Sequence, residues 1–165
     1  MLQEFFDFPR KQFLMRELSR LVRLAQPSVV AHLKALVKDE LVVREKTGLY
    51  PAFQANRDSE TFKLLKKHNI IWRITTSGLL EQLRQKTQPN CIILFGSASR
   101  GEDTEQSDLD LFIQSEETKI DLARYEKILK RKINLLFEPH LQRLSKELLN
   151  NLINGYVLAG YLKVW

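Results

Sequence analysis

Asp108 and Asp110 stand two residues apart in Ser107-Asp108-Leu109-Asp110-Leu111-Phe112. In an extended strand that spacing turns both carboxylates to one face. Paired carboxylates on one face are a means of holding Mg²⁺ against substrate phosphates. Eleven residues before Asp108 comes Ser97, preceded by Gly96, at the end of the apolar run Cys91-Ile92-Ile93-Leu94-Phe95. Such a run reads as a buried strand. A Gly-Ser turn at its end exposes backbone N–H groups, lets a phosphate come close and adds a hydroxyl donor. The chemistry to expect is handling of a phosphorylated ligand with a hard cation.

The elements that must position these residues are a strand, a Gly-Ser turn, a charged loop that includes Arg100-Gly101, and an Asp-x-Asp strand. This order resembles the active-site motif of the polymerase-beta-type nucleotidyltransferases, most nearly their small stand-alone form, the minimal nucleotidyltransferases. The resemblance implies Asp108 and Asp110 as catalytic and metal-holding residues, and Gly96, Ser97 and Arg100 as nucleotide-binding. It implies Mg²⁺ as cofactor and ATP or another nucleoside triphosphate as substrate or ligand. Active members carry a third carboxylate on a later strand. The matching segment here is Lys132-Ile133-Asn134-Leu135-Leu136-Phe137, with Asn134 where the acid belongs. An amide offers a metal a neutral oxygen but cannot act as a base. Glu138 lies on the same face, about 13 Å further along an extended strand, and reads as a strand terminus.

The chain has 165 residues, room for two small domains, and its 44% hydrophobic and 28% charged content suits a folded globular protein. The single cysteine, Cys91, sits inside an apolar strand, which excludes a disulfide framework within the chain and suits a reducing cytoplasm. No apolar run reaches membrane-spanning length, and the start Met1-Leu2-Gln3-Glu4 lacks a signal pattern. A cytoplasmic protein without membrane contact is expected.

The net charge of +6 is uneven: residues 1–67 hold 13 Lys/Arg against 8 Asp/Glu. An excess concentrated there suggests a polyanion-binding module. Phe13, Leu14, Leu18, Leu21 and Val22 form a helical stripe over Lys11–Leu24. Pro27 suits the first position of a second helix, in which Val29, Leu33 and Leu36 face inward. Leu41–Glu45, a turn at Lys46-Thr47-Gly48, and Leu49–Phe53 read as a β-hairpin. Helix, turn, helix and hairpin make a winged-helix arrangement, and residues 3–56 resemble archaeal and bacterial winged-helix regulators. In such folds the second helix enters the DNA major groove. Its outward face is Ser28, Val30, Ala31, Lys34 and Lys38, with Arg44 and Lys46 on the wing placed for phosphate. Val30 and Ala31 suit thymine methyls, or else a module that docks or dimerises without reading sequence. His32 reads as a packing or contact residue.

Residues 57–88 form a helical linker, with Phe62, Leu65, His68 and Ile71 on one side and a break near Thr75-Thr76-Ser77-Gly78. Ile71 and Trp72 suit either core or a homodimer seam. After Asp110 come a helix over Ile120–Arg131, the Asn134 strand, a helix over Leu141–Ile153 and a strand at Tyr156–Leu162. The expected fold is α+β: a winged helix-turn-helix (1–56), a helical linker (57–88) and a small mixed-sheet polymerase-beta-type domain (89–165). The whole chain is similar to a largely archaeal class of nucleotidyltransferase-like proteins with an N-terminal DNA-binding domain, in which an Asn at the third-acid position is common. Three readings stay open. The chain is a nucleotidyltransferase acting on a hydroxyl; or a regulator that binds double-stranded DNA and senses nucleotide with little turnover; or an antitoxin-like partner of a HEPN-type protein, as the resemblance implies.

Overall fold

The computed structural model describes residues 1–47 and 50–163, which fall into two compact units, Met1–Lys66 and Lys67–Trp165.

The first unit runs α1 (Leu2–Asp7), β1 (Phe13–Leu14), α2 (Met15–Val22), α3 (Gln26–Lys38), β2 (Val42–Thr47) and β3 (Tyr50–Ala55), then enters α4 (Glu60–Thr76). Phe13 and Leu14 are therefore strand rather than helix, because they pair with Phe53 and Ala52. Their sheet is antiparallel in the order β1-β3-β2. Losing those two positions reorients the stripe expected over Lys11–Leu24: Leu18 is buried, whereas Leu14 and Leu21 are exposed. Arg23 ends α2 in the left-handed region, and Pro27 sits in the first turn of α3. Phe5, Phe13, Leu18, Val29, Leu33 and Phe62 meet in the core. The turn expected at Lys46-Thr47-Gly48 falls on the tip of the hairpin, where Gly48 and Leu49 and the side chains of Lys46 and Thr47 lie outside the described residues.

The buried stripe of α4 is Phe62, Lys66, Ile70 and Ile74, while Leu65 and His68 are exposed. An i, i+4 row that passes through a lysine hides from a search for apolar periodicity. Gly78, at φ +86°, separates α4 from α5 (Leu79–Thr87).

The second unit continues through β4 (Cys91–Phe95), α6 (Gly96–Arg100), β5 (Leu109–Ile113), α7 (Ala123–Leu129), β6 (Ile133–Phe137), a 3-10 turn (Leu141–Arg143), α8 (Lys146–Ile153) and β7 (Tyr156–Gly160). Its mixed sheet has the order β6-β5-β4-β7 and is antiparallel except for β5 beside β6. A parallel neighbour needs a crossover, and α7 supplies it. Arg73 fastens that crossover by donating to the carbonyls of Ile128 and Leu129 at 3.1 and 3.0 Å. Ile92 and Leu94 pack into one core cluster, Cys91 and Ile93 into another. Apolar packing on both faces explains why β4 is apolar at every position rather than alternating.

The helix expected over Leu141–Ile153 is broken, because Ser145 caps α8 instead: its hydroxyl accepts the Leu148 N–H at 3.2 Å. β7 stops at Gly160, whose φ is +69° and where a Cβ would collide with the Asn90 carbonyl. No helix among the described residues is long and apolar enough to cross a membrane.

Candidate active site

The site begins where β4 runs out. Gly96 follows Phe95 with φ +71°, and an ideal Cβ there would lie 2.7 Å from Asp110 Oδ2. Phe95 pairs directly with Asp110 across β4 and β5, so the chain turning out of β4 must pass against that carboxylate. Glycine leaves that carboxylate its place and accepts the left-handed conformation without strain. Ser97 follows in α6, half-buried. Arg100 closes the helix with Nε 2.7 Å from Glu102 Oε2, an exposed ion pair.

The loop from Glu102 to Ser107 is built to aim Asp108. Thr104 N–H donates to Ser107 Oγ at 2.9 Å, and Ser107 N–H returns to the Thr104 carbonyl at 3.1 Å. Asp103 and Arg131, both buried, lie 3.8 Å apart and join this loop to the segment before β6. Glu126 seats the start of β6. It accepts the Ile133 N–H at 3.1 Å and the Lys132 ammonium at 3.3 Å. The Ile133 bond, with help from Lys132, holds its carboxyl below the usual glutamate range.

Asp110 and Asn134 are direct neighbours in the parallel pairing of β5 and β6. Asn134 Nδ2 donates to Asp108 Oδ2 and to Asp110 Oδ1, each at 3.1 Å. Ionised carboxylates only accept, so the amide must turn its NH₂ toward them. Asp108 and Asn134 are exposed and Asp110 is half-buried, which leaves the cluster open to a ligand. A cleft of about 670 Å³ adjoins it, lined among others by Ser107, Asp108, Glu126, Lys127 and Lys132.

Comparison with known proteins falls on the same region. The family model of the nucleotidyltransferase domain matches residues 77–155, a span that holds every residue of this cluster. A Methanocaldococcus jannaschii protein named "Putative protein adenylyltransferase" is 35% identical over 86 residues, covering 47% of this chain and 75% of that relative. The chain belongs to the nucleotidyltransferase-domain family.

Within this nucleotidyltransferase domain the structure gathers Gly96, Asp108, Asp110 and Asn134 into one cluster, with Ser97 beside Gly96 in sequence and Arg100 turned to Glu102. The two carboxylates make an oxygen donor pair, which suits a hard cation such as Mg²⁺, while Asn134 presents its NH₂ rather than its oxygen to them. Among the described residues no group of three or more His, Cys, Asp or Glu is placed to hold a metal. Sequence reading missed the supports: Thr104 with Ser107, Asp103 with Arg131, and Glu126. The Thr-x-x-Ser spacing of Thr104 and Ser107 was a visible turn signal, whereas the Asp103–Arg131 pair spans 28 positions and carries none.

Outside the matched span, Ser28, Ala31, Lys34 and Lys38 are exposed on α3, Val30 is half-buried there, and Arg44 is exposed on β2. Val30, Lys34, Lys38 and Arg44 border a common groove; Ser28 and Ala31 are not among its lining residues. The Lys46 side chain lies outside the described residues. His32 is exposed on α3 and is therefore not a packed core residue. Glu138 lies just past β6, where its carboxylate accepts the His140 N–H at 2.9 Å.

Proposed function

We propose that the chain is a nucleotidyltransferase that moves a nucleotidyl group from ATP or another nucleoside triphosphate to a hydroxyl on a partner protein, with Mg²⁺. The observation that carries this reading is the clamp of Asn134 on Asp108 and Asp110, beside a glycine sized for the Asp110 carboxylate. The name of the Methanocaldococcus jannaschii relative supports a protein acceptor. Asp108 and Asp110 would hold the ion, and Gly96, Ser97 and Arg100 would meet the phosphates. A bound divalent ion would neutralise the phosphates and polarise the reacting phosphorus. The acceptor oxygen bonds to the α-phosphorus as the bond to the bridging oxygen breaks. Pyrophosphate leaves, and the hydroxyl proton passes to water, since Asn134 cannot take it. Without a positioned base, turnover is slow.

Calorimetry with ATP, with and without Mg²⁺, tests the site. Binding should require the metal and vanish when Asp108→Asn and Asp110→Asn are combined. Metal-independent binding that survives the double change would remove the assignment. Transfer of label from α-labelled ATP to co-purified proteins then tests the reaction.

A second reading has its own observation: α2, a tight turn and α3 are followed by the β2–β3 hairpin, with Ser28, Lys34, Lys38 and Arg44 exposed. We infer a winged-helix module that binds duplex DNA, as a homodimer, chiefly through phosphates. Such binding weakens steeply with salt. Fluorescence anisotropy showing no duplex binding at low salt, or light scattering showing a monomer, would refute it.

A further inference from the structure

Val30 is an odd residue for the outer face of α3, and the structure offers it a use. Between α3 and the sheet of the first unit runs a groove of about 490 Å³. Its apolar lining is Met15, Val30, Leu33, Val37, Pro51 and Phe53, with Leu33 and Phe53 buried beneath it. Among the described residues its polar lining is Lys34, Lys38 and Arg44, with no acid. The helix period explains the arrangement: residues 30, 33 and 37 form one row of α3, and residues 34 and 38 form the row beside it. An apolar recess of this size bordered by a few charged side chains is the usual form of a small-molecule site.

We propose that this groove binds a free amphipathic monocarboxylate, of medium acyl chain length, as a ligand of the first unit. The chain lies on Val30, Leu33, Val37 and Phe53. The carboxylate meets Arg44, whose planar fork matches two carboxylate oxygens, and the ammonium groups of Lys34 and Lys38. Charge complementarity selects the occupant: three cations and no acid favour an anionic head, and the apolar row excludes a fully polar one. The groove uses the cations that the second reading assigns to DNA phosphate. Ligand and duplex would therefore compete, although the carboxylate site stands whether or not DNA binds.

The test is calorimetry on the full chain with decanoate, octanoate and decanol, below micelle-forming concentrations. Decanoate should bind, and octanoate should bind about sixteenfold more weakly, since each of the two buried methylenes it lacks is worth roughly fourfold. Decanol, with the same chain and no charge, should bind at least tenfold more weakly than decanoate. The triple change Lys34→Gln, Lys38→Gln, Arg44→Gln should lower decanoate affinity to the decanol level. Val30→Asp should abolish binding, with circular dichroism to confirm the fold; the triple variant stands in if Val30→Asp unfolds. Equal affinity for decanol and decanoate, or decanoate binding untouched by the triple change, overturns the proposal. So does a dimer that Val30→Asp disperses, which would give the groove to a second copy of the chain.

Discussion

Asn134→Asp would set a third carboxylate beside Asp108 and Asp110, and its first effect should be loss of stability. The change removes two donors, each 3.1 Å from a carboxylate oxygen, and sets a third negative charge in their place. At this exposed cluster each lost hydrogen bond is worth about 1 kcal/mol. Each new repulsion, at about 4 Å in a water-like dielectric, adds roughly 1 kcal/mol. The sum is about 4 kcal/mol at low ionic strength, softened by salt. For a chain of this size, roughly 2–4 °C accompanies each kcal/mol, so the melting midpoint should fall by about 8 to 16 °C in chelator. Millimolar Mg²⁺ should reverse the order, because three carboxylates hold the ion better than two carboxylates and an amide. Scanning calorimetry with chelator and with Mg²⁺ reads both halves. Labelled-nucleotide transfer should rise by about a hundredfold once the acceptor hydroxyl has a positioned base. Equal melting of variant and parent in chelator, together with equal stabilisation by Mg²⁺, would refute the placement of Asn134 between the two carboxylates.

Gly96→Ala should weaken Mg²⁺-dependent ATP binding at least tenfold, read by calorimetry, because the added methyl displaces Asp110 Oδ2 and φ +71° strains any side chain. Glu126 has its folded carboxyl held below the ordinary range, so its contribution is present above the unfolded value and is lost as pH falls through the folded one. Glu126→Gln should accordingly flatten the acid limb of stability against pH, measured by urea unfolding at a series of pH values. Burial raises the Cys91 thiol to about 11, so iodoacetamide at pH 8 should label it only in denaturant; fast labelling of the native protein would contradict its burial. Gln114 is buried, its amide donating to the Lys163 carbonyl at 2.7 Å and its oxygen accepting the Lys163 N–H at 3.0 Å. Gln114→Leu should lose about 2 kcal/mol by urea unfolding, since both backbone groups lose their partner.

Much of this architecture was legible in the chain itself. The unbroken apolar run Cys91–Phe95 announced a buried strand, and Asp-x-Asp spacing placed both carboxylates on one face, as their shared bond to Asn134 requires. Local signals failed where partners were distant. Phe13 and Leu14 belong to a strand because of Phe53 and Ala52, some 40 positions away, and the α4 stripe runs through Lys66 rather than Leu65. By itself, then, the sequence determined residue types, local periodicities and the two carboxylates with their preceding glycine, because those depend on neighbours within a few positions. Tertiary structure decided which side chains meet. The parallel register of β5 and β6 sets Asn134 beside Asp110 across 24 residues of chain, and the antiparallel pairing of Phe95 with Asp110 brings the Asp110 carboxylate against Gly96. Both follow from hydrogen-bonded strand pairing, in which a shift of one residue would turn the amide to the opposite face of the sheet.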